Sequence, residues 1–244
     1  MTSRWPIYSR LIASAGVIAV SAAFPAIAGS VSGKVELRDS RNPEVKNRRN
    51  YSDVVIALKP LNTDFQAPAA KATITQKDKT FSPHVLAITV GTVVDFPNFD
   101  PIFHNAFSSY SGQVFDIGLY PPGTTRSVRF SREGVVRVFC NIHASMSAMI
   151  VVLSTPYFAK THADGSYEIP AVPEGDYEMS VFHERASASA LEALRKRISI
   201  SKEGAILAPI AISEAGYLSI PHKNKYGQEY PDADEHTMYP SPVK

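Results

Sequence analysis

Val135-Val136-Arg137-Val138-Phe139-Cys140-Asn141-Ile142-His143-Ala144-Ser145-Met146, residues 135–146, decides how this chain is read. A valine-rich run ends at Phe139. A second β-branched run follows at 149–153. Between them, the spacing Cys-x2-His-x2-Met falls on a short loop joining two strands. Cys140 is the chain's one cysteine, so no intramolecular disulfide can form, and the residues around it must say what it does.

Outward from this loop, the chain has strand character almost everywhere. Residues 31–37 alternate apolar and polar, and 53–58 form another β-branched run. Runs at 71–76, 85–90, 92–96 and 127–130 follow, then alternating Tyr167 and Ile169, and Tyr177, Met179 and Val181. Gly91, Pro122-Gly123, Glu133-Gly134, Asp164-Gly165 and Glu174-Gly175 punctuate them as turns should. The pattern predicts an all-β protein built as two sandwiches. One helix is expected at 188–197, where Leu191, Leu194 and Ile198 fall at i, i+3 and i+7.

The chain has 244 residues, 44% hydrophobic and 20% charged, which suits a globular protein. Arg4 and Arg10 are the only charged residues of the first 28; without them 23 basic residues face 23 acidic ones. That balance argues against nucleic-acid binding through phosphate neutralisation. The two arginines precede an apolar run at 11–24, Pro25 breaks it, and Ala26-Ile27-Ala28 gives a small-x-small cleavage pattern. Residues 1–28 therefore read as a signal peptide, with a mature protein in the periplasm or secreted. No later apolar stretch is long enough for an integral membrane protein.

A lone cysteine in an exported chain suggests an inert buried thiol, an intermolecular bridge or a metal ligand. His143 and Met146 favour the last, and His104-Asn105 lies upstream on a loop after the strand ending near Phe96. Zinc prefers four strong ligands, and thioether is a poor one. Calcium and magnesium prefer oxygen. Two imidazoles, a thiolate and a weak axial thioether describe a blue-copper electron-transfer site.

With these residues in view, the stretch 71–155 resembles the cupredoxins, the plastocyanin, azurin and amicyanin family of Greek-key copper proteins. Cys-x2-His-x2-Met is the spacing of amicyanin-like members. The resemblance implies one type 1 copper held by His104, Cys140, His143 and Met146. It also implies that Asn105 and Asn141 tie the two ligand loops around the sulfur. The longer plastocyanin spacing would place the axial ligand at Ala148, which cannot serve, and Met149 is expected in the core. Multicopper oxidases and copper nitrite reductases place a histidine directly beside this cysteine. Here Phe139 and Asn141 flank it, so an electron carrier rather than an enzyme is expected. Ile102, Phe103, Ile142 and Ala144 would form the apolar patch through which periplasmic redox proteins dock.

A second resemblance covers the flanks. Ser-Gly-Lys-Val at 32–35 with Ser-Asp-Val-Val-Ile-Ala-Leu at 52–58, and the stretch 158–183, resemble the two halves of a carboxypeptidase regulatory-like, prealbumin-type sandwich. The organisation expected is 29–66 as the first part of that sandwich and 67–155 as an inserted cupredoxin domain. Residues 156–220 would complete the sandwich with a short helix, and 221–244 form an extended or partly disordered tail. Sequential pieces are the rival layout. Insertion predicts that residues near Val35 and Val55 pack with Tyr167 and Tyr177. The whole chain also resembles the exported methylamine utilisation proteins, from Phe81-Ser82-Pro83-His84-Val85-Leu86, Asp95-Phe96-Pro97-Asn98 and Tyr226-Gly227.

Two other function classes stay open: a copper carrier or buffer using the same ligands, and a carbohydrate- or protein-binding module working through the second sandwich. His84, His162, His183-Glu184 and the acidic run 232–236 read as structural or solvated rather than as further sites. No nucleophile elbow, P-loop or dinucleotide fingerprint is present.

Overall fold

The computed structural model describes residues 29–63, 70–109, 112–218 and 222–230. The expected signal peptide at 1–28 and the acidic run at 232–236 lie outside them. Among the described residues, no helix is long and apolar enough to cross a membrane. The architecture is all-β.

Two separate cores organise the strands. In the first, Gly29–Arg38 runs antiparallel to Ser166–Val172, with Val31 opposite Ile169. On its other edge it runs parallel to Gly204–Ile206 and Ile210–Ser213. The facing sheet has the order Phe158–Lys160, Val55–Pro60, Gly175–Phe182, Lys196–Ile200. Val31, Val35, Leu37, Ile56 and Leu58 pack with Tyr167, Ile169, Tyr177, Met179 and Val181. The inward register position between Val31 and Val35 is Gly33. A Cβ there would lie 2.5 Å from the Tyr167 hydroxyl oxygen, so only glycine leaves room for that ring.

The second core is drawn wholly from 74–152. Val85–Thr89 runs parallel to Ser147–Leu153, which pairs antiparallel with Gly134–Phe139. The opposing sheet is Thr125–Arg129, Val93–Pro97 and Lys71–Thr73. Ile74, Phe81, Val94, Phe96, Phe130, Val136, Val138 and Ile150 fill the space between.

Two strands are buried on both faces, which explains why they read as unbroken apolar runs instead of alternating ones. Along Val55–Pro60, Ile56 and Leu58 enter the first core, while Val55 and Ala57 enter a third cluster. Along Ser147–Leu153, Ala148, Ile150 and Val152 enter the second core; Met149, Val151 and Leu153 enter that same third cluster. The third cluster is thus the seam between the two sheet pairs, and Met149 is core.

Polar groups rim the seam. His84 Nε2 lies 2.6 Å from Glu184 Oε2, and His84 Nδ1 lies 3.1 Å from the Ser147 carbonyl oxygen. Lys160 Nζ pairs with Asp53 at 2.8 Å. The hydrogen bond to Glu184 raises the His84 pKa above its ordinary 6.5 against the opposing effect of burial; the charges of Glu184 and Asp53 add to the rise. A histidine raised in this way stabilises the fold fully below its unfolded pKa, and the contribution fades as pH climbs through the folded value. His84→Gln should therefore lower the melting temperature at about pH 6 and have little effect well above the raised pKa. Thermal scans of both proteins across that range check this; an equal difference at every pH would count against it.

The helical expectations need correction. The predicted 188–197 helix is only Ala188–Ala193, capped by Ser187, whose hydroxyl accepts from the Ala190 N–H. Leu194 closes it, and Ile198 sits on a strand opposite Tyr177. Sheet pairing there overrides the weak helical period. A second helix, Pro43–Arg48, has no counterpart in the sequence reading: Asn42 caps it and Pro43 opens it, but only Val45 is buried, so it shows no apolar period.

Candidate metal centre

The loop of the opening sequence stretch closes tightly. The Cys140 N–H donates to the Met146 carbonyl at 3.2 Å, and the Met146 N–H to the His143 carbonyl at 3.1 Å. This turn begins where the Phe139–Ser147 pair ends the ladder, so its side chains are aimed by a buried sheet rather than by a free loop. His104 arrives from a second segment, bridged to Tyr120 by two backbone hydrogen bonds of 3.3 and 2.9 Å. Tyr120 is anchored below: its hydroxyl donates to the Phe96 carbonyl at 2.8 Å and accepts from Gln76 Nε2.

These two supports bring three donors together. Cys140 Sγ lies 3.8 Å from His104 Nδ1 and 3.6 Å from His143 Nδ1. All three ligand atoms lie within 4.8 Å of one another. Cys140, His104 and Met146 are fully buried, and His143 is half-buried. Met146 shares the second core with Cys140. Every one of the four residues expected as ligands therefore belongs to this loop pair and its core.

The electrostatics prepare donors rather than charges. Burial lowers the His143 pKa to about 4, and the neighbouring His104 pushes the same way. Burial also lowers that of His104, although Asp100 opposes it. Both rings are thus neutral at physiological pH, with lone pairs available. Burial raises the Cys140 thiol pKa; backbone N–H groups of Asn105, Ile142, His143 and Asn141 pull it down, because they stabilise negative charge on sulfur. A cation would supply the remaining stabilisation, so binding should release the thiol proton.

The two loops are tied to each other through Asn105. Asn105 Oδ1 accepts the Asn141 backbone N–H at 2.6 Å. The Asn141 side chain does not return that bond; its Oδ1 accepts the Lys225 N–H at 2.9 Å. Of the expected docking residues, Phe103 and Ala144 are exposed, while Ile102 and Ile142 are half-buried.

Two features escaped the sequence reading. Asp100, buried, accepts from His104 Nε2 at 2.7 Å and from the N–H groups of Asp78 and Lys79 at 2.6 and 2.9 Å. Burial pushes its carboxyl up, but these three donors hold it below the usual value on balance. With its proton on Nε2, His104 turns the lone pair of Nδ1 toward the sulfur. A carboxylate four residues ahead of a candidate histidine was the available signal. The second feature is residues 222–230, expected to be extended or disordered, which fold against the Cys140 loop.

The residues set aside stay structural. His183 Nε2 pairs with buried Glu214 at 2.7 Å, and Glu214 also accepts from Arg185 at 2.9 Å and Ser40 at 2.5 Å. His162 closes a turn with Gly165.

No family model matches the sequence, and no curated protein matches it. Similarities to solved structures cover part of the chain. One is a purple cupredoxin from Nitrosopumilus maritimus, 28% identical, covering 34% of this chain and 99% of that one, TM-score 0.31. Another is a copper-containing nitrite reductase from Thermus scotoductus SA-01, 25% identical, covering 39% of this chain and 25% of that one, TM-score 0.33. A third is a single-residue mutant of amicyanin in its reduced state, 18% identical, covering 33% of this chain and 80% of that one, TM-score 0.32.

Proposed function

We propose that this protein binds one copper ion at His104, Cys140, His143 and Met146 and transfers single electrons. The observation that carries the reading is the donor set itself: one thiol and two neutral imidazoles converge, and the Met146 side chain is buried in the same core as Cys140. Those donors fit copper. Thiolate, imidazole and thioether together suit both Cu(I) and Cu(II), whereas zinc would leave the thioether unused and hard cations would find no oxygen. Bound copper would supply a one-electron couple.

The chain's own residues do the rest. The Phe139–Ser147 sheet end and the Asn105–Asn141 tie hold the donors with little freedom to rearrange. Low rearrangement favours electron exchange over delivery of the metal, which a carrier would need. Phe103 and Ala144, exposed beside the ligand residues, offer an apolar edge at which an exported redox partner can dock. In this reading the protein has no catalysis of its own. It works in the periplasm or outside the cell, and residues 67–155 form a copper domain set into a prealbumin-like sandwich made of 29–66 and 156–220.

Visible absorption and EPR of the Cu(II)-loaded mature chain test the proposal. An intense thiolate-to-copper band with narrow copper hyperfine splitting at one equivalent is the expected result. A colourless complex would overturn electron transfer, and absence of binding would overturn the copper site.

A further inference from the structure

We propose that residues 222–230 clamp the metal centre, with Tyr230 as a positioning residue for Cys140. This rests on reading the Cys140 loop as a copper site. The Tyr230 hydroxyl donates to the Cys140 carbonyl oxygen at 2.6 Å. Its oxygen lies 3.1 Å from His222 Nδ1. A hydroxyl has one proton to give, so His222 must donate from Nδ1 to complete the pair. The His222 ring stacks on Phe139, the residue before Cys140, with centroids 4.1 Å apart at 28°.

Lys225 holds the other side. Its N–H donates to Asn141 Oδ1 at 2.9 Å, and its ammonium meets Asp116 Oδ2 at 2.7 Å. The other Asp116 oxygen faces Asn105 Nδ2 at 3.4 Å, and Asn105 bonds back to the Asn141 N–H. The contacts close a ring: Lys225, Asn141, Asn105, Asp116, Lys225. Both ligand-bearing loops, that of His104 and that of Cys140, are inside it.

The clamp is itself a built turn rather than a trailing end. Asn224 Oδ1 accepts from the N–H groups of Tyr226 and Gln228 at 2.9 and 3.0 Å, and the Asn224 carbonyl accepts the Gly227 N–H at 2.9 Å. Gly227 takes φ 78°, a conformation glycine adopts freely. The Cys140 carbonyl lies just past the last paired residue of its strand, so the sheet leaves it to Tyr230. Fixing that carbonyl fixes the Cα–Cβ bond that aims the sulfur. The segment therefore sets how readily the thiol escapes its ligating geometry, and with it how fast metal enters and leaves.

The test compares the full chain with Tyr230→Phe, which keeps the ring and removes one hydrogen bond. In the metal-free protein, labelling of Cys140 by a thiol reagent should be about fivefold faster, the factor one neutral hydrogen bond is worth. In the copper-loaded protein, release to a Cu(I) chelator should quicken by a similar factor, and the thiolate-to-copper band should shift. Gln228→Ala is the control: the Gln228 side chain is exposed on the same turn and its backbone bonds to Asn224 survive the change, so it should match the parent.

Unchanged labelling in Tyr230→Phe would overturn the clamp whatever metal the site binds. Faster labelling that follows global unfolding in denaturant would also overturn it, since the role would then be general stability. Faster labelling under native conditions in a chain that binds no copper would uphold the clamp and sink the copper reading instead.

Discussion

Cys140→Ser should abolish the intense visible band of the copper-loaded protein and weaken copper binding by more than about a hundredfold, while leaving the sheets in place. The expectation follows from charge and covalency. Cys140 is the only donor of the set that becomes anionic, and serine stays protonated at any workable pH. The exchange of sulfur for oxygen removes little volume from a fully buried position. Far-ultraviolet circular dichroism should be unchanged and competition with a chelator of known affinity should show the loss. Retention of tight binding and colour would mean that the thiol is not a ligand.

Asp100→Ala should have the largest effect on stability among the residues around the site, about 3 kcal/mol. The carboxylate accepts three hydrogen bonds in a buried place, and its removal leaves the Asp78 and Lys79 N–H groups and His104 Nε2 without their acceptor. The same change frees the His104 tautomer. Once Nδ1 can carry the proton, its lone pair no longer faces the sulfur, and metal affinity should fall about 10- to 100-fold, as when other partners of ligand histidines are lost. Urea unfolding and metal titration of the variant measure the two effects separately. A variant that loses stability yet keeps its affinity would show that Asp100 serves the fold alone.

Much of this was legible in the sequence, and the residues show why. Strands announce themselves by what they bury. Val31, Val35 and Leu37 alternate because one face of their strand meets water; 53–58 and 149–153 do not, because a seam covers the second face. Cys140, His143 and Met146 were legible because a single turn carries all three. His104 was legible only as a candidate on an upstream loop, since nothing local links it to a loop 36 residues away, and the resemblance then singled it out. Asp100 and Tyr230 were missed for a related reason. Their work is done by hydrogen bonds whose partners the chain meets only once folded. The tail was misjudged on composition: Pro, Lys and Asp suggest solvent, but Asn224 and Gly227 write a turn that needs no apolar period. The short helices failed in both directions, because six residues are too few for a period to show.

The pairing of Val55–Pro60 with Gly175–Phe182 has a consequence for the order of events when the chain folds. More than a hundred residues separate the two strands. Joining them from a disordered chain would close a very long loop, at a large entropic cost before any contact rewards it. The stretch between them has its own core, and its first and last strands, Lys71–Thr73 and Ser147–Leu153, belong to that one body. Once this middle collapses, the outer strands are no longer ends of a long tether but neighbours delivered to the same seam. Loop-closure entropy thus favours an order from the centre outward, with the outer sheets joined last, on a foundation that already holds the thiol.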